Sequence, residues 1–148
     1  MVLLHDFTLD ENGAPISHTT VVLSDTNPAT LASFGDALDL EGDLLLVGSR
    51  LATTAAGAEA GTAELFTNDP VVGWVWTREF TAPDGQASAS FGSSVGLSGD
   101  TLAIGAERHS RDGVSNGGAV YLLESGSGSS SNWDFVERLF SAEEHSGG

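Results

Sequence analysis

Three side chains that serve in hydrolytic catalysis stand close together in the second half of the chain: His109, Ser110 and Asp112. Together they would suggest a serine hydrolase, in which a carboxylate orients a histidine that takes the proton of a serine nucleophile. Such a triad needs side chains that converge from separate elements, whereas three neighbours in one polar loop point in different directions. The spacing therefore predicts a surface loop rather than an active site.

The other histidines offer two weaker arrangements. The segment Glu143-Glu144-His145 supplies oxygen and nitrogen ligands, but it follows the last predicted strand in a polar segment, and we expect it to be solvated. His5 and His18 are predicted to face each other across a hairpin as a surface pair without a third ligand. The chain has no Cys, which excludes thiolate metal sites and disulfides. We therefore expect a protein that is not an enzyme and that holds no cofactor.

The charge of the chain is strongly one-sided. The 21 acidic residues outnumber the 5 basic ones and give a formal net charge of −16, and the basic residues are all arginines: Arg50, Arg78, Arg108, Arg111 and Arg138. Repulsion disfavours nucleic acids and anionic membranes as partners. An acidic surface without lysine is typical of halophilic proteins, and an acidic secreted protein is the open alternative.

Length and hydropathy predict one folded domain or part of a larger one. The chain has 148 residues, of which 40% are hydrophobic and 18% charged, so it can bury a core and is not a disordered tail. The opening residues 1–4 are apolar but meet His5 and Asp6 at once. The sequence therefore predicts neither a signal peptide nor a membrane-inserted segment.

An internal repeat is the strongest pattern in the sequence. Phe34-Gly35 recurs as Phe91-Gly92, and the distance between the two copies defines an offset. At the same offset the following pairs match: Leu40 and Leu97, Gly42-Asp43 and Gly99-Asp100, Leu45 and Leu102, Gly48 and Gly105, Gly61 and Gly118, Leu65 and Leu122, Trp76 and Trp133. A slightly larger offset then matches Phe80-Thr81-Ala82 with Phe140-Ser141-Ala142. These matches indicate two tandem structural units.

Each unit is predicted to contain four short strands, because apolar runs alternate with turn residues. The strands are predicted at 36–40, 44–49, 62–67 and 72–80 in the first unit, and at 93–97, 101–106, 119–123 and 133–139 in the second. Residues 2–9 and 16–23 predict two more strands. The Ala-rich segment 51–64 is predicted to be a loop, because Thr and Gly interrupt any helical pattern. We therefore divide the chain into half a unit over 1–33 and whole units over 34–90 and 91–148.

The second unit resembles a known repeat. Residues 91–106 read FGSSVGLSGDTLAIGA and residues 117–122 read GGAVYL; both blocks are similar to the FG-GAP repeat of integrin-alpha-type β-propellers, in a bacterial or archaeal form. The first unit is a looser copy, with GTAELF at 61–66. The resemblance implies an all-β fold in which each repeat makes a four-stranded blade and neighbouring blades cover its faces. The chain would then hold about two and a half blades of a partial propeller, with 1–33 as the C-terminal half of a preceding blade.

The resemblance also implies structural roles and a candidate calcium ligand. Many such repeats bind calcium between the second and third strands through Asp-x-Asp-x-Asp-Gly. Here Asp112-Gly113 remains, but Arg108 and Ser110 take the two upstream ligand positions, and the loop at 50–60 offers only Glu59 as a carboxylate. Asp112 is a calcium candidate or part of a simple turn, and the missing oxygens favour the turn. The residues that define the repeat and are expected to be structural are Phe34, Gly35, Gly42, Asp43, Gly48, Gly61, Phe91, Gly92, Gly99, Asp100, Gly105 and Gly118.

For function, the resemblance implies a non-catalytic binding or structural module of an extracellular or cell-surface adhesion-like protein. Its partners would be a protein or glycan ligand, or neighbouring blades of a longer chain. An ancillary propeller domain of a secreted hydrolase is the alternative. The tryptophans Trp74, Trp76 and Trp133 are predicted on outermost strands, where they cover the blade edge or, alternatively, present a binding rim.

The charge leads to a prediction about salt. Like charges are closer together in the folded chain than in the unfolded one, and the Debye length falls from about 30 Å at 0.01 M to about 3 Å at 1 M salt. We expect the melting temperature to rise with NaCl, measured by thermal melts at about 0.05, 0.5 and 2 M. A midpoint that stays flat or falls would contradict a halophile-like surface.

Overall fold

The computed structural model describes residues 1–25, 32–126 and 132–141. These residues contain no helix and form ten strands: β1 Val2–Leu9, β2 Pro15–Leu23, β3 Ala37–Glu41, β4 Leu44–Ser49, β5 Thr62–Asp69, β6 Gly73–Phe80, β7 Phe91–Ser98, β8 Thr101–Ala106, β9 Ala119–Ser125 and β10 Trp133–Leu139. The all-β prediction is confirmed. Among the described residues, none belongs to a helix able to cross a membrane.

The strands form three antiparallel sheets. The pair β1-β2 is a hairpin, and β3-β4-β5-β6 and β7-β8-β9-β10 are four-stranded meanders in chain order. We call β3–β6 the first blade and β7–β10 the second blade. The turns at Gly42 and Gly99 have φ values of 56° and 55°, which glycine adopts without steric cost. Two-residue hairpins therefore join β3 to β4 and β7 to β8.

Both outer strands carry a β-bulge at the same place. Thr77 is bypassed between the pairs that β6 makes with Leu65 and Phe66 of β5. Val136 is bypassed in the same way in β10. Thr77 and Val136 lie further apart in the chain than Phe34 and Phe91 do, so the outer strands do not follow the offset that relates the inner strands.

The match predicted between Trp76 and Trp133 is therefore wrong. Trp133 pairs with Ser125, and the equivalent residue of the first blade, Asn68, pairs with Trp74. Trp133 is buried at 1% exposure, whereas Trp76 is 47% exposed. The offset between the two units was defined by matches in their inner strands. It changes across the hairpin that leads to each outer strand.

The two blades stack face to face. The core between them contains twelve buried residues: Leu46, Ala63, Leu65, Phe80, Phe91, Leu102, Ile104, Ala106, Ala119, Tyr121, Leu123 and Trp133. A second core joins the β1-β2 hairpin to the other face of the first blade through Val2, Leu23, Leu45, Val47 and Phe66. The first blade is therefore covered on both faces.

The closest approach between the blades is at Phe91-Gly92. A Cβ added to Gly92 would lie 2.1 Å from the carbonyl oxygen of Thr62, and one added to Gly61 would lie 2.0 Å from that of Phe91. A Cβ on Gly48 would lie 2.0 Å from the carbonyl oxygen of Gly92. Backbone therefore packs directly on backbone, and glycine is required at all three positions.

This contact predicts the effect of one methyl group. Gly92 has φ +86° and no free space. A left-handed conformation costs about 1–2 kcal/mol for a residue with a Cβ, and overpacking adds about 1–3 kcal/mol. We expect Gly92→Ala to lower the free energy of unfolding by about 2–5 kcal/mol in urea titrations. The control is Gly99→Ala, which has φ +55° but open space and should cost only the conformational term of about 1–2 kcal/mol. Equal losses in the two variants would contradict the packing argument.

Candidate functional site

The loop proposed for calcium is a tight hairpin. Arg111 and Val114 form an antiparallel bridge, and Asp112 and Gly113 between them have φ values of 33° and 86°. These positive values are those of a two-residue turn that reverses the chain. Asp112 is exposed at the tip of this turn. Within the described ranges, no group of three His, Asp or Glu side chains lies close enough to share a metal ion.

The surface loop predicted for His109, Ser110 and Asp112 is wrong for His109. His109 points inward and is only 2% exposed. The Ser110 hydroxyl accepts a hydrogen bond from the amide of Asn116 within the same loop. A serine nucleophile activated by this histidine is therefore not formed here.

The candidate residues of the loop at 50–60 and of the β1-β2 hairpin are also not brought together. Glu59 has φ 53° and lies 3.8 Å from the Arg108 guanidinium. His5 pairs with Thr20, not with His18, across the β1-β2 hairpin, and the predicted facing pair is therefore wrong. Glu143-Glu144-His145 lies outside the described residues.

The repeat-defining residues lie in turns and at contacts between sheets. Asp43 and Asp100 are the second residues of the two inner hairpin turns. Their carbonyl oxygens accept hydrogen bonds from the amides of Asn68 and Ser125 at 2.8 and 2.9 Å. Phe91 packs edge-on against Tyr121 with ring centroids 5.3 Å apart, and Phe34 against Phe66 at 6.1 Å.

Comparison with known families identifies part of the chain. Residues 74–123 match the family described as FG-GAP repeat. This segment is therefore similar to an FG-GAP repeat. The match begins at the outer strand of the first blade and runs through the third strand of the second blade, which is about a third of the chain. Among the curated proteins compared with the chain, none matches it.

A polar cluster around two buried side chains, His109 and Tyr121, was missed by the sequence reasoning; all of its members except Arg138 lie in the segment that matches the FG-GAP repeat. Tyr121 of β9 donates a hydrogen bond from its hydroxyl to Asp84 Oδ1 at 2.7 Å, and its oxygen lies 3.2 Å from His109 Nδ1. Arg138 of β10 binds the other carboxylate oxygen of Asp84. Asp84 belongs to the linker that joins the blades, so the cluster fastens this linker to the second blade. We call His109, Tyr121, Asp84, Arg138 and the adjacent Gln86 the linker cluster.

Burial sets the protonation states in the linker cluster. It raises the pKa of Tyr121 to about 12 and lowers the pKa of His109 below its ordinary value of 6.5, because the charged form of each group loses solvation. The phenol and the imidazole are therefore both neutral at pH 7, and they act as hydrogen-bonding groups. A signal in the sequence could have indicated this: Tyr121 stands within the apolar run 119–123, and the hydroxyl of a buried tyrosine needs a partner.

The first blade has acidic or small residues at the matching positions. The inner-strand offset pairs Ala52 with His109 and Glu64 with Tyr121, and the outer-strand offset pairs Glu79 with Arg138. Burial raises the pKa of Glu79, and the charge of Asp25 raises it further. A pocket of about 370 Å³ lies here, lined by residues that include Asp25, Ala52 and Glu79. The FG-GAP repeat and its neighbour therefore share a backbone but differ in this cluster.

The hairpin geometry of Asp112 predicts the response to calcium. We expect millimolar CaCl₂ to leave the melting temperature unchanged relative to a NaCl control of equal ionic strength, because a ligand raises stability only by binding the native state. The measurement is a thermal melt with and without calcium. A calcium-dependent rise that Asp112→Ala abolishes would contradict this prediction.

Proposed function

We propose that the chain is a non-catalytic binding or structural module of an FG-GAP-type β-propeller, and that the outer face of its second blade receives a further blade. The observation that carries the proposal is an apolar face without a covering sheet among the described residues. Leu46, Ala63, Leu65 and Phe80 of the first blade are buried under the second blade. Their counterparts in the second blade are Ala103, Val120, Leu122 and Leu139; the match predicted between Phe80 and Phe140 is wrong, because Phe80 pairs with Ala63 and Leu139 with Val120.

These four counterparts are apolar but incompletely covered. Val120 is 39% and Leu139 43% exposed, although Ala63 and Phe80 are buried at 0% and 4%. Apolar side chains of this size gain stability when they are removed from water, at roughly 25 cal/mol per Å². The face is therefore suited to packing against another sheet.

A pocket on this face is lined by counterparts of the residues that form the contact between the blades. It has a volume of about 400 Å³, and Ala106, Gly118 and Ala119 line it. The corresponding residues of the first blade are Ser49, Gly61 and Thr62, and they hold Phe91-Gly92. The pocket therefore supports a Phe-Gly turn of a further repeat as the occupant of this face.

We further propose that the module belongs to an extracellular or cell-surface adhesion-like protein with a protein or glycan ligand. The resemblance to FG-GAP propellers supports this assignment, and the net charge of −16 favours ligands that are neutral or basic. An ancillary domain of a secreted hydrolase is the second candidate. A catalytic motif in the flanking reading frame would favour the hydrolase, and more repeats with a surface anchor would favour adhesion.

The proposal predicts that one added repeat stabilises the protein. The chain is extended at its C-terminus by a further copy of residues 82–141, and thermal melts are compared with the 148-residue protein. We expect the melting temperature to rise by about 5 °C or more, because the added blade buries the apolar face. Val120→Asp in the original second blade should leave the shorter protein nearly unchanged and abolish the rise.

The matched control is Val136→Asp, which is 53% exposed at the outer edge and should leave the rise intact. An added copy that folds without raising the melting temperature would contradict the proposal, as would a rise that survives Val120→Asp.

A further inference from the structure

The side chain of Gln86, in the linker between the blades, makes two hydrogen bonds to the backbone of Ser110. Gln86 Oε1 accepts a hydrogen bond from the amide of Ser110 at 3.1 Å, and Gln86 Nε2 donates one to the Ser110 carbonyl at 2.7 Å. These two bonds fix which end of the Gln86 amide is nitrogen. That nitrogen lies 3.4 Å from His109 Nε2, where it can only donate.

The neutral histidine ring fits this arrangement in one tautomer. The Tyr121 hydroxyl gives its single proton to Asp84, so the hydroxyl oxygen can accept from His109 Nδ1. The ring proton is therefore on Nδ1, and the lone pair on Nε2 faces Gln86. In this state the contacts of the ring with Tyr121 and Gln86 are satisfied, whereas Asp84 Oδ2, 3.4 Å from Nε2, meets a nitrogen without a proton.

A second proton on the ring changes its partner. Protonated Nε2 can no longer accept from Gln86, whereas Asp84 Oδ2, at 3.4 Å, can accept from it. Turning the Gln86 amide over would reverse both of its bonds to Ser110. Protonation of His109 therefore removes one acceptor of the Gln86 amide nitrogen and places a second donor 3.4 Å from it, which disfavours the present position of the Gln86 side chain.

The groups around the His109 ring have opposing effects on its protonation. Asp84 from the linker favours the imidazolium, but Arg138 of β10 already binds that carboxylate. Tyr121 of β9 is neutral. The ring centroids of Phe140 and His109 are 5.8 Å apart. Phe140 also contacts the Arg111 guanidinium, which lies 4.3 Å from the Phe140 centroid. Burial adds the cost of removing a charge from water.

We propose that His109 is a proton-operated latch for the linker between the blades. The neutral ring holds Gln86 against Ser110, and the protonated ring turns to Asp84 and releases Gln86. The latch does not depend on which larger protein contains the module. Because the pKa of His109 is lowered by folding, the unfolded chain takes the proton first. The stability that the latch provides is therefore present above about pH 6.5 and is lost as the pH falls toward the folded pKa.

The experiment follows one amide of the intact chain by NMR. The Ser110 N–H is held by Gln86, and the Ser125 N–H, held by the Asp100 carbonyl, is the reference. Protection factors are measured from about pH 7.5 to about pH 5 together with the ring signals of His109. We expect the protection of Ser110 to fall about tenfold more than that of Ser125 as the ring titrates.

Three variants separate the latch from a general effect of acid. His109→Asn keeps a donor for the Tyr121 hydroxyl but does not titrate, so the pH dependence of Ser110 should disappear. His5→Asn removes an exposed histidine and should leave the dependence intact. Gln86→Ala should leave Ser110 unprotected at every pH and raise the pKa of His109 toward 6.5. Because this last variant keeps the histidine, it tests the proposal even if His109→Asn fails to fold.

Two results would overturn the latch. The first is protection of Ser110 that does not change across the titration of His109, or that still changes in His109→Asn. The second is a ring that stays neutral until the protein unfolds.

Discussion

Direct contact between the backbones of the two blades is the constraint on which the rest of the structure depends. Gly92 lies against Thr62 with no room for a Cβ, so the preceding linker must run along the edge of the first blade. The amides of Ser88, Ser90 and Phe91 bond to the carbonyls of residues 58, 59 and 60. Ser90, the last residue of the linker before β7, has φ 59°. The linker thereby places Asp84 and Gln86 beside the loop of the second blade that holds His109.

The few positive charges of the chain are concentrated where the blades meet. Arg50 of the first blade binds Asp36 and lies 4.0 Å from Glu107 of the second blade, and Arg108 returns to Glu59. Arg78 donates to the Trp133 carbonyl at 2.8 Å. Such exposed ion pairs each contribute little, but together they place cations where acidic surfaces of two sheets approach one another. Two inner-strand carboxylates of the first blade add to the contact: Asp39 and Glu41 accept hydrogen bonds from the amides of Leu97 and Gly99.

The sequence was most informative where backbone geometry limits the choice of residue. The Gly-Asp turns and the Phe-Gly pairs predicted the inner strands nearly to the residue, because positive φ and close contact exclude most side chains. The outer strands followed a different offset, since the hairpin between Ser125 and Trp133 is two residues longer than the one between Asn68 and Trp74, and no residue type marks that length. The linker cluster was not predicted, because Asp84 and Tyr121 are far apart in the chain and only the stacking of the blades brings them together. A histidine in a polar loop suggested exposure, yet His109 is buried because the linker covers it.

The placement of the arginines has a consequence for proteolysis. Trypsin cleaves after Lys and Arg, so the chain offers it five positions, and at four of these the side chain reaches into the other blade or into the linker. A protease needs an extended backbone with a free side chain, and such a segment arises here mainly when the two sheets separate. Resistance to trypsin at these four positions thus reports how rarely the stacked blades part, whereas cleavage after Arg111 reports opening of the hairpin that Arg111 and Val114 close.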